Sequence, residues 1–290
     1  LKSDNRSNIS YFLEHNVLLR RFTLSVGVLA NYNSALNEGI HFYPGIDASY
    51  RIGDNFRLYG SWNRALRMPT FTDLYYEGKT NKGNPDLKPE ESEAFEVGLK
   101  YNTYFLRAHI AGFYRKGKNM IDWVKEKPED IWESQNLTKV DNLGFETNLS
   151  LLPRELGNER FFIRKIELGY AFIHQDKDSE GYISNYALDY LKHKFTAQLS
   201  HSIWKGFSAT WYVRWQDRAG SYTKYENLKP AYEEPYAPYC LVDMKVNWEY
   251  QRLNLYAELN NLLNSTYYDL GNIPQPGIWF KAGFRYSFKY

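Results

Sequence analysis

Ile278-Trp279-Phe280-Lys281-Ala282-Gly283-Phe284-Arg285-Tyr286-Ser287-Phe288-Lys289-Tyr290 closes the chain and decides its fold. In an extended chain Ile278, Phe280, Ala282, Phe284, Tyr286, Phe288 and Tyr290 share one face. Trp279, Lys281, Gly283, Arg285, Ser287 and Lys289 share the other. Period-two alternation is the mark of a strand. A run this long, with aromatics near both ends, suits a tilted membrane-crossing strand of ~9–11 residues or more. The pattern recurs upstream. Phe22, Leu24, Val26, Val28 and Ala30 alternate with polar or small residues, as do Phe207, Ala209, Trp211, Val213 and Trp215, and Cys240, Val242, Met244, Val246 and Trp248.

About thirteen segments read this way, with cores at 8–19, 21–32, 42–52, 55–65, 91–101, 104–115, 137–151, 161–174, 187–202, 207–217, 239–250, 253–262 and 277–290. The connections between them alternate. Short ones include Gly53-Asp54-Asn55 and Trp204-Lys205-Gly206, with 152–160 a longer member. The long, polar ones are 33–41, 66–90, 116–136, 175–186, 218–238 and 263–276. Short periplasmic turns and long extracellular loops mark outer-membrane barrels. The expected fold is therefore all-β, an antiparallel transmembrane β-barrel. An odd strand count, with no leader at Leu1-Lys2-Ser3-Asp4, makes residues 1–290 the expected C-terminal portion of a larger barrel. A soluble propeller would show a fixed blade repeat, and none is present.

Composition agrees. The chain has 8 Trp, 26 Tyr and 17 Phe against 3 Met, more tyrosine than a soluble enzyme needs and apt for two water–lipid boundaries. No run of ~18 apolar residues offers a transmembrane helix. The net charge of +2, with no basic cluster, argues against nucleic acid as a partner. The lone Cys240 excludes an internal disulfide framework. No GxGxxG, Walker loop, GxSxG or HExxH occurs, so no enzyme, cofactor or catalytic residue is expected. His193 and His201 stand ~26 Å apart on one strand and cannot share a metal. Asp176, Asp178 and Glu180 lack the spacing of a calcium loop, so no metal site is expected.

Charges of both signs recur on the non-apolar face: Arg57, Glu96, Arg107, Glu146, Lys192, Arg214, Lys245 and Arg285 among others. Each Lys or Arg buried in lipid near the midplane would cost ~2–4 kcal/mol, so this face needs a wet or protein-filled interior.

The resemblance to a family rests on residues 61–92. Ser61-Trp62-Asn63-Arg64-Ala65-Leu66-Arg67-Met68-Pro69 is followed by Gly83-Asn84-Pro85-Asp86-Leu87-Lys88-Pro89-Glu90. This pair resembles the Arg-x-Pro and Asn-Pro-x-Leu-Lys-Pro-Glu signature of TonB-dependent outer-membrane receptors. Gly144-Phe145-Glu146, the segment Asn260-Asn261-Leu262-Leu263-Asn264 with Tyr267, and the aromatic last strand resemble further family motifs in the same order. The resemblance implies a barrel of ~22 strands whose lumen is filled by the protein's own N-terminal plug. It also implies the outer membrane of a Gram-negative bacterium as location and a TonB-type energy-coupling protein as partner. Outer-membrane lipid and a surface lipoprotein are further candidate partners. Arg67 and Pro69 carry two readings, loop-shaping and ligand contact.

Within the family, haem receptors carry a histidine between the two signature elements, and residues 70–83 contain none. Cobalamin and ferric-siderophore receptors remain. Asn119-Met120-Ile121-Asp122-Trp123 and Tyr190-Leu191 resemble the cobalamin type. The expected transported ligand is thus cobalamin or a related corrinoid. A ferric siderophore is the near alternative and a passive porin the distant one. Candidate ligand residues in the expected outer loops are Arg67, Tyr75, Tyr76, Trp123, Trp132, Tyr182, Tyr186, Arg218, Tyr222 and Tyr225. Aromatic faces there suit a corrin or a catecholate, and the arginines suit an anionic group.

Overall fold

A computed structural model describes residues 5–34, 39–127, 129–157, 160–178, 181–184, 190–226, 229–271 and 273–288. Strands β1 (Asn8–Leu18), β2 (Phe22–Asn33), β3 (Ile40–Ile52) and β4 (Phe56–Arg67) come first. A short helix, α1 (Phe71–Tyr75), and strand β5 (Asn81–Lys82) lead to β6 (Glu90–Asn102), β7 (Leu106–Lys125), β8 (Trp132–Leu151) and β9 (Ile163–Asp178). Then follow β10 (Ile183–Ser184), β11 (Leu191–Trp204), β12 (Phe207–Arg218), β13 (Ser221–Glu226), β14 (Lys229–Pro235), β15 (Tyr239–Tyr250), β16 (Leu253–Asn260), β17 (Tyr268–Leu270), β18 (Ile273–Pro274) and β19 (Trp279–Tyr286). The thirteen long strands are hydrogen-bonded in chain order. They match the thirteen expected segments one for one.

The chain divides into two compact units. One holds Leu1–Leu99, Ala111–Gly144 and His174–Ala187; the other holds Lys100–Ile110, Phe145–Ile173 and Leu188–Tyr290. In the first, β1 to β4 form antiparallel ladders from Asn8↔Asn33 through Thr23↔Ser49 to Ile52↔Phe56. In the second, β9, β11, β12, β15, β16 and β19 do the same. Register converts alternation into rows. Lys245 lies opposite Glu258, and Glu258 opposite Lys281. One residue along, Ala209 lies opposite Val246, Val246 opposite Ala257, and Ala257 opposite Ala282. A slip of one residue would send the charged row to the apolar face.

The apolar face has no protein against it. Leu13, Val97, Ile110, Leu168, Leu199, Phe280 and Phe284 are all exposed. The accessible surface is 19582 Å², against about 13,000 Å² expected for a water-soluble globular monomer of this mass. The exposed apolar face is suited to lipid.

Three differences from the sequence reading stand out. The expected loop 116–136 is mostly strand, because β7 runs to Lys125 and β8 begins at Trp132. Asn119, at φ +53°, interrupts the alternation without ending the strand, as a bulge does. The expected loop 218–238 contains the hairpin β13–β14. The loop at 66–90 contains α1 and β5.

Candidate functional site

Strand β4 stops at Arg67 because Pro69 has no N–H to give a ladder. Thr70 then caps α1. Its hydroxyl accepts the Asp73 N–H at 3.1 Å, and the Asp73 carboxylate accepts the Thr70 N–H at 3.0 Å. This reciprocal capping box satisfies two otherwise orphaned donors. The Asp73 carbonyl in turn accepts the Asn84 N–H at 2.9 Å and the Ser134 hydroxyl at 2.6 Å. Gly83 is required here, since a Cβ would stand 2.8 Å from backbone atoms of Leu74, Tyr75 and Tyr76.

The second signature element closes the same structure. Arg67 forms a forked ion pair with Glu90, with Nε donating to Oε2 at 2.6 Å and Nη2 to Oε1. Oε1 also accepts the Ile121 N–H at 2.8 Å. The Glu90 side chain is 8% exposed and that of Arg67 51%. Asn136 accepts the Lys88 N–H at 2.8 Å and donates to the carbonyls of Lys88 and Asn119 at 2.9 and 2.7 Å. The two motifs are therefore halves of one brace, tying the end of β4 and its loop to β6, β7 and β8.

The candidate ligand residues divide between two places. In the first unit, Tyr75 is exposed and stacks on Phe71. The exposed Tyr76 meets Trp123 edge-to-face at 6.3 Å. Lys125 Nζ stands 4.5 Å over the Trp132 ring. Trp123 and Trp132 are strand residues of β7 and β8, correcting their expected place in a loop; the break in alternation at Asn119 hid this. Tyr182 is half-buried beside β10. Tyr186 and Glu180 lie outside the described residues.

In the second unit, Tyr222 is buried between Tyr236 at 5.2 Å and Tyr268 at 5.0 Å. Burial pushes its phenol pKa up. Arg218 stands over the Tyr236 ring at 5.5 Å. Tyr239 packs on Tyr267 at 4.6 Å, and its hydroxyl lies within hydrogen-bond reach of Gln216 and Asp269. Lys224 is ion-paired to Glu234 at 2.5 Å, and that bond holds its pKa above the ordinary lysine value. Tyr225 belongs to β13. Asn261, at φ +52°, is the anchor beneath the tyrosines: its amide bonds Ser265 in both directions at 2.9 Å and donates to the Pro276 carbonyl at 3.2 Å.

Some charges of the polar face are held in short-range contacts. Glu96 accepts from Tyr59 at 2.7 Å, and Glu146 lies 3.7 Å from His109. Glu258 holds Lys245 at 2.7 Å and Lys281 at 2.5 Å. Arg107 and Arg214 line a cavity of about 620 Å³ in the second unit. Asn8, Asn31, Asp47 and Asn63 line one of about 710 Å³ in the first. Arg57 lies opposite Arg51 in the β3–β4 register and Arg285 opposite Asn254. Lys192 is exposed near the start of β11. Among the described residues no group of three His, Cys, Asp or Glu is placed to hold a metal ion.

The family model described as TonB dependent receptor-like, beta-barrel matches residues 2–262. The chain belongs to the TonB-dependent receptors. Vitamin B12 transporter BtuB of Vibrio vulnificus is 26% identical over 58% of this chain and 36% of its own length. The ferrienterobactin receptor of Escherichia coli is 22% identical over 92% of this chain and 38% of its own length. The solved ferric enterobactin receptor PfeA of Pseudomonas aeruginosa, in a mutant bound to enterobactin, superposes with a TM-score of 0.76 at 20% identity. It covers 98% of this chain and 46% of its own. The chain thus spans roughly a third of the curated relatives it matches. TonB-dependent receptors are outer-membrane proteins of Gram-negative bacteria, which places the exposed apolar face in lipid. The family is one of receptors and transporters.

Sequence reasoning about this receptor barrel missed Glu90, Asp73, Asn136, Tyr236, Tyr239, Tyr268 and Asp269 as members of the outer network. The signal for Glu90 was present, since it ends the Asn-Pro-x-Leu-Lys-Pro-Glu element. The tyrosine cluster had no such signal, because Tyr267, Tyr268 and Asp269 come from a segment about thirty residues beyond Tyr236 and Tyr239.

Proposed function

We propose that this chain is the C-terminal part of the barrel of an active-transport receptor. Preceding strands of the same protein close the barrel, and a plug fills it. A scarce nutrient binds at the aromatic outer ends of the strands, and a TonB-type partner supplies the energy for import. The ligand assigned is cobalamin or a related corrinoid.

The observation that carries the ligand assignment is the set of exposed rings in the outer region, beside cations several of which are already engaged. Arg67, Lys82 and Lys224 are each ion-paired to a carboxylate. Lys125 and Arg218 lie over aromatic rings. A ferric catecholate carries several negative charges and needs unneutralised cations to offset its desolvation. A corrinoid is broad, flat and nearly neutral, and it is better served by exposed rings such as Tyr75 and Tyr76. The match to two vitamin B12 transporters supports the same reading. The longer match to the ferrienterobactin receptor favours the siderophore alternative.

The test is calorimetric titration of the full-length receptor, purified in detergent, with cyanocobalamin and separately with a ferric catecholate. Nanomolar cobalamin binding, about −12 kcal/mol, is expected. Binding of the catecholate with none of cobalamin would overturn the assignment and move the receptor to iron uptake.

A further inference from the structure

On the polar face of the second unit, Lys100, Arg107 and Arg214 line one cavity of about 620 Å³. It begins at a short connection. Asn102 closes β6, Arg107 is the second residue of β7, and between them the Thr103 N–H donates to the Leu106 carbonyl at 2.8 Å. From there it extends to Arg214 of β12. Register fixes the face. Arg214 lies opposite Thr196, and Tyr212 lies opposite Gln198 and Asp243; all five line the cavity. Ser202, paired with Ser208, is on the same face of β11. There Arg154 Nη2 and Arg164 Nε donate to its hydroxyl at 2.7 and 2.8 Å.

The carboxylates of this cavity are already engaged. Glu167 holds Lys165 at 2.8 Å, and Asp243 accepts the Asn261 N–H at 2.7 Å. Its arginines are not. Arg107 is exposed and Arg214 half-buried, and among the described residues neither has a hydrogen-bond or ion-pair partner. Arg154 and Arg164 meet neutral acceptors, Ser202 and, for Arg154, the Phe161 carbonyl at 2.8 Å. In an empty lumen water would serve such groups. In a filled one, a covered guanidinium is costly unless a carboxylate meets its planar fork. A nutrient held at the outer ends of the strands does not reach Arg107 beside the short connection, whereas a segment of the same protein packed in the lumen does. This chain matches only 36% and 38% of two curated relatives, which leaves length for such a segment.

We propose that Arg107 and Arg214 hold carboxylates of an acidic segment of the protein's own plug, against the cavity wall in the second unit. The proposal rests on the reading of this chain as part of a plugged receptor barrel. It adds the charge of the plug segment facing this wall and the two arginines that receive it.

The experiment is hydrogen exchange of the full-length receptor in detergent, wild type against R107Q, R214Q and R107Q/R214Q. Exchange is expected to quicken in a plug segment containing Asp or Glu, about threefold in each single variant and about tenfold in the double, with the barrel strands unchanged. Raising salt from about 50 to about 500 mM should quicken the same segment in wild type and do less in the double variant. Unchanged exchange throughout the plug in both single variants would overturn the proposal, and that result stands even if the double variant does not assemble. A change confined to β7 and β12 would make the arginines part of the barrel's own support and overturn it too. So would a quickened segment without a carboxylate. A full-length protein with no protected segment outside the barrel strands would overturn the plugged-barrel reading itself, a different outcome from a protected plug indifferent to both arginines.

Discussion

Replacing Glu90 with alanine tests the brace that the two signature motifs build. The substitution removes the forked pair to Arg67 and the acceptor for the Ile121 N–H. Arg67 is half exposed, so water takes back most of its guanidinium, and the pair contributes only about 1–2 kcal/mol. The amide has no such recourse at once, and leaving it unpaired costs about 1–3 kcal/mol. A total near 3 kcal/mol should appear as local opening rather than barrel unfolding, because it acts on the loop and not the ladder. Glu90→Gln keeps an oxygen for Ile121 and loses the charge alone, about 1.4 kcal/mol. Hydrogen exchange of the full-length receptor, followed in a peptide spanning Gly117–Trp123, reads both variants. Exchange should quicken by about 150-fold in E90A and about tenfold in E90Q. Glu93→Ala, near Arg64 at 4.0 Å with both side chains about 40% exposed, is the control and should change little. Exchange within about threefold of wild type in E90A, or equal effects of E90A and E90Q, would refute the brace.

Two further expectations follow from the same geometry. Gly83→Ala puts a methyl 2.8 Å from three backbone atoms and should cost about 1–3 kcal/mol locally, seen as proteolytic nicking between α1 and β6 with the strands intact. Asn261→Ala loses its amide bonds and must hold φ +52° without glycine's freedom, whereas Asn261→Gly loses only the bonds. Alanine should therefore lower the midpoint of urea unfolding in detergent more than glycine, by roughly 1 kcal/mol, and the reverse order would be evidence against a backbone role.

The strands were legible because lipid on one side and charge on the other enforce period two with little exception. The row Lys245–Glu258–Lys281 could be anticipated face by face, though not its pairing, since register depends on turn lengths. Legibility failed where backbone departs from the regular strand. Gly117 and Asn119 interrupt the alternation of β7, so Trp123 read as loop although it lies within the strand. In the outer region the sequence marked turns, through Pro69, Pro85 and Gly83, but gave no distances. Arg67 and Glu90 are 23 residues apart, and nothing local says that they meet. Tyr239 and Asp269, 30 residues apart, are the same case.

This geometry bears on what distinguishes one receptor of the family from another. The residues that carry the family resemblance, Arg67, Glu90, Asn261 and the prolines around them, are consumed in holding loops to strands. Arg67 spends its fork on Glu90, and Asn261 spends its amide on Ser265 and Pro276. A side chain so engaged has fewer donors left for a ligand. We infer that discrimination comes from exposed side chains beside the brace. In the first unit these are Phe71, Tyr75 and Tyr76, exposed on α1 and just beyond it. They are rings rather than charges, and their positions depend on Thr70, Asp73 and Gly83 behind them. Substituting the rings should alter which ligand binds while leaving the loop in place. Substituting the brace should weaken every ligand together.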